Sequence, residues 1–261
     1  MLPGNTSFTL AGEIFPLENV LHYKGSTNVR TDNLMQLFKW LKIDPQQITP
    51  SVYKNLVLDA KFSGNLDRIQ VAPFKLTLDK STISGEAGLI LGERKDMIVI
   101  AQADTINFDN YITPLPDEIK KKSWLERILY RFNQTQFLND IDLVIDSKAD
   151  LIIYESMPFE KVALKGNILN KAAEIENLSI DKIANTKITL QGKLSGFGST
   201  PQLENFNYNI NCNDITSLIN KLELKVPNLD YKRFNHLTAV GNINGSLNES
   251  GINTNISIGN L

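Results

Sequence analysis

Runs of residues that alternate apolar and polar with period two recur along most of this chain, and that periodicity constrains its fold more than any other feature. Alternation places successive side chains on opposite sides of a strand, one side against apolar material and the other in water. Phe8, Leu10 and Gly12 alternate with Thr9 and Ala11. Leu56, Leu58, Ala60 and Phe62 alternate with Val57, Asp59 and Lys61. Phe74, Leu76 and Leu78 alternate with Lys75, Thr77 and Asp79. Further strands are expected near 82–91, 97–104, 141–154, 160–169, 174–181, 186–195, 203–211, 236–246 and 252–258. Short links such as Asp79-Lys80-Ser81 favour hairpins, so the sheet is expected to be mainly antiparallel.

Three segments carry helical spacing instead. Asp32 or Asn33 can cap a helix over 32–42 whose Leu34, Leu37, Phe38 and Leu41 fall at i, i+3, i+4 and i+7, with Pro45 beyond its end. A second helix, near 117–132, follows Pro114 and Pro116, which bracket a hinge. It mixes Lys120, Lys121, Lys122, Arg127 and Arg131 with Asp117, Glu118 and Glu126, which dilute its positive face. The pattern favours a helix packed on a sheet edge or end over a membrane-surface helix built round Trp124. The third helix, over 214–223, starts at Asp214, carries Ile215, Leu218, Ile219 and Leu222, and stops before Pro227.

The first and third helices belong to an internal repeat. Leu37, Phe38, Leu41 and Ile43 match Leu218, Ile219, Leu222 and Leu224 at an offset of 181 residues, and Phe62-Ser63-Gly64-Asn65-Leu66 matches Ile243-Asn244-Gly245-Ser246-Leu247 at the same offset. Ser7 to Gly12 matches Lys187 to Gly192 one residue out of step. These matches predict a duplicated unit of strands and a short helix. They divide the chain into a first β unit over 1–113, a hinge and amphipathic helix over 114–135, and a continuing sheet over 136–261 that begins a second copy. Both chain ends read as cuts through a longer repeating structure.

Composition narrows the chemistry. The chain has 261 residues, 42% hydrophobic and 21% charged, a globular balance large enough for a core without staples. Its net charge of −2, with no long run of either sign, gives no electrostatic footprint for nucleic acid. Cys212 is the single cysteine, which rules out an internal disulfide or a thiolate metal cluster. No segment has the apolar length of a membrane span, and the first residues lack the regions of a signal peptide.

The sequence contains no nucleophile elbow, phosphate-binding loop, dinucleotide fingerprint or zinc-protease helix. Gly196-Phe197-Gly198 reads as a turn. His22 lies in a strand pattern without a positioned partner, and His236 is no stronger, so neither is expected to be a general base. Asp140 and Asp142 share one strand face, where a solvated acidic edge is the commoner reading than a cation site. Cys212 is expected to pack as a small apolar residue. No enzyme activity and no cofactor are expected.

The order of elements resembles the AsmA family of bacterial envelope proteins. The likeness is carried by Leu21-His22-Tyr23-Lys24-Gly25-Ser26 leading into the Asp32–Leu41 helix with its Leu-Phe-x-Trp-Leu ending. The strand-turn-strand from Phe74 to Ala87, the stretch Ala103 to Tyr111, and then Ile141 to Leu151, Phe159 to Gly166 and Ile175 to Leu194 continue it. The resemblance implies an elongated, curved, mostly antiparallel sheet forming an open β-groove with short amphipathic helices, as in bridge-like lipid-transfer proteins. It further implies a periplasmic location within an inner-membrane-anchored protein, the anchor lying outside this sequence. Phospholipid acyl chains, and envelope membranes or membrane proteins, are the implied partners.

Strand phase names the residues of such a groove: Phe8, Leu10, Leu56, Leu58, Phe62, Phe74, Leu76, Leu78, Ile188 and Leu190. If the sheet curls with that side inward, ten strands make a trough on the order of 45 Å long. Alternation alone fits a sandwich or closed barrel equally well. The alternative function is a scaffold for outer-membrane protein assembly that binds through exposed strand edges.

Overall fold

The computed structural model describes residues 2–42, 53–133, 141–196, 202–222, 235–246 and 250–259. Among the described residues thirteen strands follow one another in the sheet in the order of the sequence, and the sheet does not close on itself. They are β1 (Ser7–Leu17), β2 (Val20–Thr31), β3 (Leu56–Gly64), β4 (Arg68–Leu78), β5 (Ser81–Leu91), β6 (Lys95–Asn107), β7 (Ile141–Tyr154), β8 (Met157–Leu169), β9 (Ala172–Ile183), β10 (Thr186–Ser195), β11 (Gln202–Cys212), β12 (His236–Ser246) and β13 (Ser250–Gly259). The helices are α1 (Leu34–Trp40), α2 (Asp117–Lys120), α3 (Trp124–Asn133) and α4 (Ile215–Lys221). Antiparallel pairing dominates, as the short links require. Among the described residues no helix is long and apolar enough to cross a membrane. Ile43, Pro45, Asp140, Phe197-Gly198, Leu224, Pro227 and Leu247 lie outside the described residues.

The chain divides into two compact units, one comprising Met1–Thr113 and Asp146–Glu155, the other Pro114–Ile145 and Ser156–Leu261. In the first unit the hairpin tips at Leu17–Val20, Gly64–Arg68 and Leu91–Lys95 all fall at one rim of the sheet, by the register of β1 to β6. The opposite rim carries α1, where the buried core concentrates: Thr31, Leu34 and Ser81 are buried there. Asp79 fastens this rim. Its carboxylate accepts from the backbone N–H of Tyr53 (2.9 Å), Lys54 (2.9 Å) and Asn55 (3.1 Å), and from the Tyr111 hydroxyl (3.2 Å). Phe38 lies tilted against Tyr53 and Tyr53 meets Tyr111 edge to face beside it, with ring centroids 6.1 and 5.1 Å apart.

The second unit repeats part of this plan. Asn33 caps α1, its side chain accepting from Gln36 N–H at 3.0 Å; Asp214 caps α4, accepting from Ser217 N–H at 2.9 Å. Both helices span seven residues. Thr31 at the end of β2 pairs with Leu56, and Cys212 at the end of β11 pairs with Leu237. Each of these correspondences keeps the offset of 181. The first strand of each copy is offset by 180, and the register agrees: Phe8 pairs with Val29 as Ile188 pairs with Ile210. The extra residue lies in a bulge of β11: Gln191 pairs with Asn207 and Lys193 with Glu204, so Gly192 alone stands opposite Asn205 and Phe206, where Gly12 stands opposite Gly25.

The expected single helix over 117–132 is two helices. Ser123 and Glu126 form a reciprocal cap that starts α3 afresh: the Glu126 carboxylate accepts from Ser123 N–H (3.0 Å) and Oγ–H (2.6 Å), and Glu126 N–H donates to Ser123 Oγ (3.4 Å). Trp124 stacks on Phe159 at 6.3 Å between centroids. Arg127 is buried and donates to the Lys122 carbonyl at 2.8 Å. The helix therefore packs against its own unit, as its diluted charge suggests.

Candidate functional site

In an antiparallel ladder, residues directly opposite each other project from the same side of the sheet. Following register from β1 to β6 therefore sorts every side chain of the first unit onto one of two faces. Leu10 pairs with Thr27, which pairs with Ala60, which pairs with Phe74, which pairs with Gly85, which pairs with Ala101. A parallel row runs through Phe8, Val29, Leu58, Leu76, Ile83 and Ala103. A third runs from Ile14 through Tyr23, Gly64, Ile69, Leu89 and Met97. No charged side chain belongs to these rows.

All eight expected groove residues of the first unit, Phe8, Leu10, Leu56, Leu58, Phe62, Phe74, Leu76 and Leu78, stand on this one face. Apart from Lys95, which pairs with Leu91 at the turn end of the apolar face, the strand charges stand on the opposite face, including Glu13 opposite Lys24 with their side chains 2.8 Å apart, Asp59 opposite Lys75, and Asp104. The Asp104 carboxyl is held below the usual carboxylate range chiefly by the Thr82 N–H that donates to it at 2.8 Å. The outer side also carries an apolar patch: Ile90, Ile98 and Ile100 are exposed beside a shallow depression of about 340 Å³.

The second unit sorts in the same way. Leu164, Leu178, Leu190 and Tyr208 form one row with Gly241 and Thr254, and Val162, Ile180, Ile188, Ile210, Ala239 and Ile256 form the next. Ile188 and Leu190 therefore share the apolar face of their own unit. The other face carries cross-strand ion pairs, Lys165–Glu176 at 2.7 Å and Lys182–Glu160 at 2.9 Å, and a ladder in which Asn242 Nδ2–H donates to Asn207 Oδ1 at 2.9 Å. These pairs are exposed and contribute little to stability.

Burial distinguishes an open face from a closed core. Leu56, Leu58, Phe62, Phe74, Leu76, Leu78, Ile188 and Leu190 are only half-buried, while Phe8 and Leu10 on the outermost strand are 55% and 59% exposed. A second layer packed on either face would bury such residues completely. Large side chains that are fully buried lie at the helix-bearing rims instead, as Ile183 and Cys212 do in the second unit.

The six strands β1 to β6, spaced about 4.8 Å apart, give the first unit an apolar strip about 24 Å across the strands. Each buried CH₂ placed on it is worth about 0.8 kcal/mol. Ile69, Val71, Ile83, Leu89, Met97 and Val99 belong to the same face and were not named by strand phase.

Among the described residues, each polar candidate has its own local surroundings. His22 stacks on Phe15 at 6.0 Å on the outer face, and His236 lies between Asn213 Oδ1 and Thr238 Oγ1, each at 3.0 Å. Cys212 is fully buried beside Ile215 and Leu218. Asp142 accepts from Asn170 N–H at 2.9 Å. Among the described residues, no three His, Cys, Asp or Glu side chains gather as metal ligands.

The fold and this site define a class: an open, mainly antiparallel β-sheet protein whose units each present one continuous apolar face. Comparison with family models, with curated proteins and with solved structures gives no match for the chain.

Proposed function

We propose that this chain is a non-enzymatic lipid-sheltering protein of the AsmA type, holding phospholipid acyl chains along its apolar face while headgroups stay in water. On this reading it acts in the periplasm as part of an inner-membrane-anchored protein and conducts phospholipid between the inner and outer membranes. The observation that carries the reading is the register of β1 to β6, which collects apolar side chains on one uncovered face and sends the charges, apart from Lys95 at the β5–β6 turn, to the other. A half-buried apolar face of this extent is what a hydrocarbon chain covers with gain and water covers with loss.

The test is recovery of the protein from a bacterial envelope without detergent, followed by lipid extraction and mass spectrometry. Stoichiometric phospholipid, lost when Leu58 and Leu76 are replaced by charged residues, is expected. A folded protein free of lipid under these conditions would sink the reading.

A second reading, a scaffold that captures strands of outer-membrane proteins, is favoured by β13. That strand is last in the sheet order, its Ile252 and Ile256 are exposed, and it holds no charged residue to repel an added strand. Placing lysine at Asn253 and Asn255 separates the two readings. Loss of client capture with lipid content unchanged selects the scaffold.

A further inference from the structure

The hairpin rim of the first unit has a property the groove does not require. Leu66 sits at the tip of the β3–β4 turn with 80% of its surface exposed. Its neighbours supply the turn geometry. Asn65 Oδ1 accepts from the N–H of Asp67 and of Arg68, both at 2.9 Å, and Asn65 N–H donates to the Arg68 carbonyl at 2.9 Å. Gly64 allows that close approach, since a Cβ there would come within 2.0 Å of the Arg68 carbonyl oxygen. Leu66 thus neither shapes the turn nor packs, and a polar residue would sit there at less cost in water.

The adjacent tips share this character. Leu91 N–H donates to the Asp67 carbonyl at 2.8 Å, which ties the β5–β6 tip to the β3–β4 tip, and Leu91 is 42% exposed. At the β1–β2 tip Leu17 is 52% exposed, with Val20 and Leu21 exposed beside it. The apolar row from Ile14 to Met97 runs along the sheet just inside these tips. The ionisable groups at the three turns are Glu18, Asp67 and Glu93 against Arg68, Arg94 and Lys95, with no net charge.

We propose that this rim docks on a lipid bilayer, its leucine tips entering the interfacial layer of a membrane of zwitterionic lipid. Exposed apolar tips on turns held by their own hydrogen bonds suit shallow insertion, and a balanced set of charges suits phosphocholine or phosphoethanolamine headgroups, which carry both signs. This rests on the lipid-sheltering reading in one respect: it makes the rim the side over which an acyl chain passes between bilayer and groove.

The test is co-sedimentation of the whole chain with vesicles of phosphatidylcholine and phosphatidylethanolamine, with and without anionic phosphatidylglycerol, at low and high salt. Binding to the zwitterionic vesicles, little changed by salt or by anionic lipid, is expected. Leu66→Asp is expected to weaken it by about tenfold, the worth of a part-immersed leucine, without shifting the melting temperature. Leu66→Trp is expected to keep binding and to show a blue-shifted emission, relative to the wild type with Trp40 and Trp124, only when vesicles are present.

Absence of binding to zwitterionic vesicles, dependence on anionic lipid, or an unchanged affinity in Leu66→Asp would overturn the proposal. So would a change of oligomeric state in Leu66→Asp, which would make the rim a contact between copies of the chain. Lipid carried through purification is counted on the same samples. Carried lipid without vesicle binding rejects the rim and leaves the groove, whereas vesicle binding without carried lipid rejects the groove and leaves the rim's docking role.

Discussion

Leu76 stands directly opposite Leu58 across β3 and β4, and both are half-buried although they lie in the middle of their strands. Ile83 flanks Leu76 on the other side. In a closed core this position would be sealed, and a carboxylate placed there would cost several kcal/mol. On an open face the carboxylate can reach water. Leu76→Glu is therefore expected to fold, losing about 1 kcal/mol of packing from the half-buried leucine, while its lipid content falls. Thermal melting beside lipid counting on one sample checks this. A collapsed melting temperature argues for a closed core, and an unchanged melt with unchanged lipid removes β4 from the lipid-bearing face.

Asp79 and Tyr111 provide a pH-dependent fastening at the α1 rim. Burial, and then the neighbouring Asp79 charge, push the Tyr111 hydroxyl up to about 12 from its ordinary 10.0, and the same two causes raise Tyr53. A tyrosine with a raised folded-state pKa favours the fold while it is protonated. Its contribution is complete below pH 10 and is lost as the pH rises through about 12. Denaturant melts at rising alkaline pH are expected to show this loss in the wild type and a shallower slope in Tyr111→Phe. Equal slopes would show that Tyr111 does not contribute. Asp79→Ala removes the acceptor for three backbone N–H groups and is expected to cost about 2 kcal/mol.

The face of most strands was legible because alternation and antiparallel register carry the same information: once Leu58 and Leu76 are in phase, pairing keeps them together. Bulges are where this reading stops. Val71 and Phe74 are three residues apart yet share a face, because the ladder slips at Ala72 and Pro73. Counting by twos across Pro73 places Ile69 and Val71 on the wrong side. Ile175, Leu178, Ile180 and Ile183 also share a face at steps of three, two and three, for the same reason.

The break before α3 was legible in principle, since Ser123 followed three residues later by Glu126 is a capping pair. The run of apolar residues on both sides hid it. The Asp79 clamp was not legible at all. It links a side chain to backbone groups more than twenty residues away, and no local period records such a contact.

Asn33 and Asp214 stand 181 residues apart and make the same bond, to the N–H three residues on. Asn33→Ala and Asp214→Ala are each expected to cost about 1 kcal/mol, the usual worth of a helix N-cap. Equilibrium denaturation of the two variants measures this. A large cost for one and none for the other would show that the two helices are not equivalent parts of a repeated unit.

Cys212 gives a direct report on that equivalence, because it is 0% exposed and packs beneath α4 against Ile215 and Leu218, with Leu237 beside them. A thiol in such a place reacts only when the rim opens, so its labelling rate under native conditions measures the local opening equilibrium. The folded protein is expected to resist a thiol reagent that labels the denatured chain at once. Loss of the Asp214 cap removes about 1 kcal/mol from α4, which multiplies the open population by about five. Asp214→Ala is therefore expected to label about five times faster than the wild type. Asn33→Ala, whose helix belongs to the other unit, is expected to leave the rate unchanged. If Cys212 labels at the rate of a free thiol in the native protein, α4 does not cover it. If both variants accelerate labelling equally, the two units open together and the caps do not act on separate rims.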